Sequence, residues 1–253
     1  MSTTLVFSQR TDIGLQRQTN EDSSISVLPE DPQILASKGA LFIVADGLGG
    51  HTRGAQASKL AVNTIRDAYY QQESASPLTA LRLAIEQANK SLYEKNLAES
   101  SQMEHDKMMG TTCVAAVVRR DTLYIANVGD SRAYIIRGGQ ARQISLDHSV
   151  VARLVREGEL TREQASDHPD RNKIYRCLGA HDAVEPDTFS ERLQAGDSLL
   201  LCTDGLWELV ADEDLAGIVQ QHAPQESALR LIERANELGG RDNITTIVIQ
   251  IAS

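Results

Sequence analysis

The apolar and polar positions of this chain fall into blocks of two different periods. A short strand is expected at residues 4–9, followed by the polar stretch TDIGLQRQTNEDS and the unbroken apolar run ALFIVA, a buried strand ending in Asp46-Gly47. From about 55 to 70, Ala57, Leu60, Ala61, Thr64, Ile65 and Ala68 recur at helical spacing. A second helix is expected at about 78–97, with Leu81, Ile85, Ala88, Leu92 and Tyr93 on one stripe. After Gly110 the period changes: TTCVAAVVR, TLYIANVGD, SRAYIIRGG and QARQI, separated by short or glycine-rich turns, read as successive antiparallel hairpins. Residues 147–158 are helical again and 161–179 are polar, and so long a loop in a compact domain is expected to be functional. The strand SLLLCTDG, helices at about 212–221 and 224–238, and a last strand ITTIVIQI complete the pattern. This order is α+β, and its lack of regular βαβ alternation argues against Rossmann or TIM-barrel folds.

Composition bounds the function. The 253 residues are 41% hydrophobic, enough for a sizeable core, and no repeat or linker marks a boundary, so a single domain over 1–253 is expected. Twenty-five basic against 35 acidic residues leave a net charge of −10, which weighs against a general nucleic-acid or anionic-membrane binder. The apolar runs are far shorter than the roughly 20 residues a membrane-spanning helix needs. The start, MSTTLVFSQRTD, has no basic segment followed by a long apolar stretch, so export by a signal peptide is not expected. Cys113, Cys177 and Cys202 form no Cys-x-x-Cys pair, and a reduced cytoplasm is the expected setting.

Acidic residues recur at strand ends: Asp46, Asp130 and Asp204 follow apolar runs, Asp22 sits in the NED cluster, and Asp242 precedes the last strand. A carboxylate at the rim of a buried sheet is costly unless a cation or hydrogen bonds offset its charge. Any one Asp-Gly pair is most simply a turn, but five coincident positions suggest a carboxylate cage. Oxygen donors alone suit Mg²⁺, Mn²⁺ or Ca²⁺ rather than zinc or copper.

The ordered series TDIGLQRQTNEDS, VADGLGGH, GTTCVAAVV, ANVGDSRAY, LDHS, HPDRNKIYRCLG, LLLCTDGLWELV and GGRDNITTIVI resembles the bacterial branch of the PPM (PP2C-like) metal-dependent protein phosphatases, over nearly the whole chain. The resemblance implies a four-layer α-β-β-α sandwich with two central antiparallel sheets, a flap-like segment at about 147–180, and hydrolysis of phosphoserine and phosphothreonine in proteins. It implies two Mn²⁺ or Mg²⁺ ions bridged by Asp46, with the Gly47 carbonyl on one and Asp204 and Asp242 on the other. Asp22, with Glu21, would act through water, and Asp130 with Asp204 would hold a third, weaker ion. Arg17 matches the phosphate-clamping arginine. Where animal members have a histidine directly after Asp-Gly, this chain has Leu48, so the general acid is open between His51, the nearest histidine, and a metal-bound water. The expected mechanism is in-line attack by a metal-activated water without a covalent intermediate. The expected partners are phosphoproteins made by a serine/threonine kinase, and a monomer is expected.

Two rivals deserve comparison. Cys113 and Arg119 fit the Cys-x5-Arg spacing of cysteine phosphatases, but the intervening VAAVV has a buried-strand composition without phosphate-loop glycines. A phosphoprotein-binding module without turnover would share the fold; intact Asp22, Asp46, Asp204 and Asp242 weigh against it. The flap segment concentrates Arg162, Arg171, Lys173, Arg176 and His168, which are expected to contact the phosphopeptide or, equally, to be a solvated loop.

Overall fold

The computed structural model describes residues 4–50, 52–73, 76–99 and 108–252. One sheet holds, in order, β1 (Thr4–Asp12), β12 (Ile244–Ala252), β11 (Ser198–Cys202), β8 (Arg132–Arg137) and β9 (Gln140–Gln143). The other holds β10 (Asp187–Arg192), β7 (Thr122–Val128), β6 (Cys113–Arg119), β3 (Ala40–Ala45) and β2 (Ser23–Val27). Every neighbouring pair in both is antiparallel.

Three apolar layers hold the sandwich together, because each sheet buries both faces. Between the sheets, Phe42, Val114, Ile135, Leu201 and Ile249 form a continuous core, with Phe7 edge-on to Phe42 at 5.3 Å between centroids. Helices α2 (Thr52–Gln71) and α3 (Pro77–Glu99) cover the β3/β6 sheet through Ala61, Ile65, Leu81, Ile85 and Leu92. Helices α7 (Asp212–Gln221) and α8 (Pro224–Glu237) cover the other sheet through Leu215, Val219, Leu231 and Ile232. The helical stripes in the sequence are these buried faces, and the layering is the expected one.

Three elements depart from the sequence pattern. β2 is half-buried throughout and serine-rich; β10 alternates with a single phenylalanine; α1 (Pro32–Lys38) is two turns started by an Asp31 side-chain cap and Pro32. None carries enough apolar contrast to show a period. The hairpins are also not all successive: β6 pairs with β7 and β8 with β9, but β7 and β8 lie in different sheets. The chain therefore crosses between sheets at Gly129-Asp130-Ser131. The flap segment is partly ordered into α4 (Val150–Arg156) and α5 (Arg162–Ser166), the latter opened by a Thr161/Gln164 capping box.

Candidate metal centre

Strand register brings the five aspartates to one end of the sandwich. In one sheet Ser23 lies opposite Ala45 and Cys113 opposite Val128; in the other Cys202 lies opposite both Thr246 and Arg132. Asp22 and Asp46 thus extend from one sheet, Asp204 and Asp242 from the other, and Asp130 from the crossing between them.

Burial and mutual repulsion dominate the chemistry of this end. Burial first, then Asp204, Asp22, Asp130 and Asp242, hold the Asp46 carboxyl far above the ordinary aspartate range. Asp204 is raised well above that range by burial and by Asp130, Asp242, Glu208 and Asp22. Asp22 and Asp130 are each pushed up to about 7, again chiefly by burial. Oδ1 of Asp22 and Oδ1 of Asp204 are buried and accept no hydrogen bond. Unsatisfied buried carboxylate oxygens among like charges are what a hard cation would relieve. Among the described residues no three acidic, histidine or cysteine side chains form a ready-made ion cage. A cation here would therefore also draw on main-chain carbonyls and solvent, which suits Mg²⁺.

Hydroxyls and amides at the strand ends fix these carboxylates or the main chain that carries them. Thr112 Oγ1 accepts from the Asp46 N–H at 2.9 Å, while the Thr112 N–H (2.8 Å) and Thr111 Oγ1 (2.7 Å) donate to the Asp46 carbonyl. Thr112 Oγ1 also shares a 2.6 Å hydrogen bond with Ser131, tying the Asp46 end to the Asp130 crossing. Thr203 Oγ1 donates to Asp22 Oδ2 at 2.9 Å and accepts from the Thr245 N–H at 3.0 Å. Asn243 donates its main-chain N–H to Asp242 Oδ1 and accepts from the Glu21 N–H, both at 2.8 Å, and its amide donates to the Ile13 and Thr19 carbonyls. The loop carrying Arg17 and Glu21 is thereby stitched to Asp242. Gly47 is sterically obligatory: a Cβ there would overlap the Gly54 carbonyl and crowd that of Glu21 at 2.6 Å. None of Thr111, Thr112, Thr203, Thr245 or Asn243 was singled out by sequence, because β-branched residues in or beside strands look like ordinary sheet formers and an asparagine before a strand looks like an ordinary turn residue.

Arg17 sits at the mouth, 52% exposed, with Nη2 2.5 Å from Asp242 Oδ2. It is therefore engaged with a carboxylate of the cluster rather than standing apart from it. His51 lies outside the described residues. The flap residues divide. Arg176 Nη1 donates to Asp187 Oδ1 and the Glu185 carbonyl, both at 2.9 Å, and lies 3.2 Å from His148 Nε2, so it anchors the flap instead of facing outward as expected. Lys173 pairs with Asp170 at 2.7 Å, and His168 Nδ1 accepts from the Asp170 N–H within its own turn. Arg171 is exposed and, with Arg241, Glu208, Trp207 and residues of α4, lines a cavity of about 700 Å³ between flap and sheet end. Cys113 is fully buried in β6 opposite Val128, and burial pushes its thiol up to about 12. A thiol so protonated cannot serve as the nucleophile of the cysteine alternative.

The protein phosphatase 2C family profile matches residues 32–238. A serine/threonine phosphatase stp from Listeria welshimeri is 40% identical over 248 residues, 95% of this chain and 94% of that protein. The serine/threonine protein phosphatase PstP of Mycobacterium tuberculosis is 36% identical over 98% of this chain and 45% of its own length. Among solved structures, the catalytic domain of a PstP in complex with two manganese ions superposes with a TM-score of 0.85 at 34% identity, covering all of both chains. Stp1 of Staphylococcus aureus superposes with a TM-score of 0.88 at 34% identity over 100% of this chain and 97% of that one. Sequence, layering and the convergence of acidic strand ends agree: this chain belongs to the PPM (protein phosphatase 2C) family of bacterial serine/threonine phosphatases.

Proposed function

We propose that the chain acts over its full 253 residues as one catalytic domain that removes phosphate from phosphoserine and phosphothreonine in proteins at a binuclear Mn²⁺ or Mg²⁺ centre. The observation that carries this reading is the pair of buried, unpartnered oxygens on Asp22 and Asp204 within a cluster of mutually repelling carboxylates. Asp46 is the candidate bridge, with the Gly47 carbonyl, Asp204 and Asp242 as further ligands. Asp22 would contribute through water, and Asp130 with Asp204 would hold a third, weaker ion. Bound there, the ions supply Lewis-acid charge and activate the water that attacks phosphorus.

The chain's own groups do the rest. Arg17, held on Asp242 through one nitrogen, presents the remainder of its planar fork to the phosphoryl oxygens. Hydrogen bonds from Thr203 and Asn243 hold the Asp22 and Asp242 carboxylates and those of Thr112 hold the Asp46 main chain, so little reorganisation is needed when the phosphate arrives. The departing serine or threonine oxygen takes a proton from His51 or from solvent at the open mouth. Phosphoproteins made by a serine/threonine kinase in the cytoplasm are the proposed substrates, handled by a monomer.

The test is phosphate release from a phosphothreonine peptide and from p-nitrophenyl phosphate, with added Mn²⁺, with EDTA, and after thiol alkylation. Activity that needs Mn²⁺ or Mg²⁺, vanishes in EDTA and survives alkylation is expected. Full activity in EDTA that alkylation abolishes would return the cysteine mechanism.

A further inference from the structure

Asp130 sits at the crossing between the sheets, and its main chain is held from one side by an unusual stack. Trp207, the last residue of the single-turn helix α6 (Asp204–Trp207), donates its indole N–H to the Asp130 carbonyl at 3.0 Å. The indole face is covered by the Arg132 guanidinium, whose Cζ lies 3.4 Å from the ring centroid. Arg132 is itself fixed at all three nitrogens. Nε meets both oxygens of Asp147 at 3.1 and 3.0 Å, Nη2 meets Oδ2 at 2.6 Å, and Nη1 donates to the Tyr134 hydroxyl at 3.0 Å. Asp147 is buried and also accepts from Gln143 at 2.7 Å, while its carbonyl accepts from Arg156 of α4 at 3.1 Å.

A hydrophobic contact would have filled the same space without the cost of burying an ion pair. A guanidinium clamped by a carboxylate instead sets both the plane and the position of the ring lying on it. The indole N–H then fixes where the Asp130 main chain can lie, and with it the approach of the Asp130 carboxyl to Asp204.

We propose that Arg132 is a positioning residue for Asp130, acting through the Trp207 indole. This rests on the reading that Asp130 and Asp204 take the third ion. The Arg132 guanidinium nitrogens are engaged by Asp147 and the Tyr134 hydroxyl, so its effect on Asp130 would pass through the ring. Because Arg132, Asp147 and Trp207 also line the cavity under the flap, the bracket is where the flap side and the carboxylate side of the site meet.

The test uses the full chain and Mn²⁺ as probe, with calorimetric titration and steady-state turnover of p-nitrophenyl phosphate. Trp207→Phe keeps a ring for Arg132 to stack on but removes the N–H. It is expected to weaken the weakest Mn²⁺ binding event by roughly tenfold or more, the scale of losses when groups supporting metal ligands are removed. The Mn²⁺ concentration for half-maximal turnover should rise in step, with KM unchanged and the tighter events intact. Arg132→Lys, which keeps the charge but not the fork, should show the same defect. In Asp130→Ala the weak event should vanish, and adding Trp207→Phe should cost nothing further, because both act through one group. If Asp130→Ala loses the weak event while Trp207→Phe binds Mn²⁺ like the wild type, the positioning role is overturned and the metal assignment stands. Additive losses in the double variant overturn it equally. If Asp130→Ala leaves all binding events unchanged, the third-ion reading fails, and the positioning role with it.

Discussion

The sheet end and the flap handle charge in opposite ways. At the sheet end five aspartates gather and repel one another, and Arg17 makes a half-exposed ion pair with Asp242. In the flap the charges are largely settled locally: Lys173 on Asp170, and Arg176 on Asp187 and the Glu185 carbonyl. The aspartates stay together because strands of two sheets and their threonine hydrogen bonds leave them nowhere to go. The first region holds electrostatic strain that a cation would release, whereas the second is close to neutral and can be altered at little cost. Chemistry is expected to be concentrated in the first and selectivity in the second.

The contrast predicts effects of graded size. Asp46→Ala removes the proposed bridge and is expected to lower kcat at saturating Mn²⁺ on the order of a thousandfold, about 4 kcal/mol of barrier. Near-normal turnover in steady-state assays would dissolve the distinction between the regions. Strain should next appear in stability. Asp22 and Asp130 rise from the ordinary 3.8 to about 7 on folding, so between these values the native state holds more protons than the unfolded chain. Metal-free protein should therefore lose stability as pH rises through that window. Excess Mn²⁺ at neutral pH should restore about 2.7 kcal/mol at a hundred times Kd, a rise of about 5–10 °C in Tm for a chain of this size. Thermal melts at several pH values check both signs, and a metal-free Tm that climbs toward neutrality would contradict the strain.

Arg17→Ala should raise KM about tenfold and leave kcat nearly unchanged, since a clamp on the phosphate dianion binds ground and transition states alike. A fall in kcat at constant KM would move Arg17 to the transition state. The smallest effect belongs to the flap. Arg171→Ala should lower kcat/KM for a phosphothreonine peptide by roughly threefold, spare p-nitrophenyl phosphate, and lose its influence at high salt. Equal losses on both substrates would mean that Arg171 supports the metal end rather than the peptide.

Apolar contrast decided what the sequence made legible. The buried strand at Ala40–Ala45, helices α2 and α3, and β12 have long periodic or unbroken apolar signals, and they appear where expected. The half-buried β2, the edge strand β10 and the short α1 do not, since their positions are set by pairing with neighbours already in place. Asp46, Asp130, Asp204 and Asp242 stood out because charge beside an apolar run is rare, and Asp22 because it sits in an acidic cluster, which the structure places just ahead of a strand. Their supports, Thr112, Thr203 and Asn243, passed unremarked because their partners lie 66, 181 and 222 residues away in the chain. Arg176 stood out for its charge, yet only the packed structure turns it inward onto Asp187.

That the acidic residues are divided between two sheets gives the interior a second role. Asp22 and Asp46 travel with one sheet, Asp204 and Asp242 with the other, and the two are kept apart by the side chains interleaved between them, Phe7 and Phe42 among these. The thickness of that oily filling works as a caliper for the distance across the acidic mouth. Close packing leaves it little slack. A methyl group added or removed deep in the sandwich, with no polar atom near it, is then also a change in the gauge of the ion site, and the volume of the interior comes under selection by a reaction that takes place outside it.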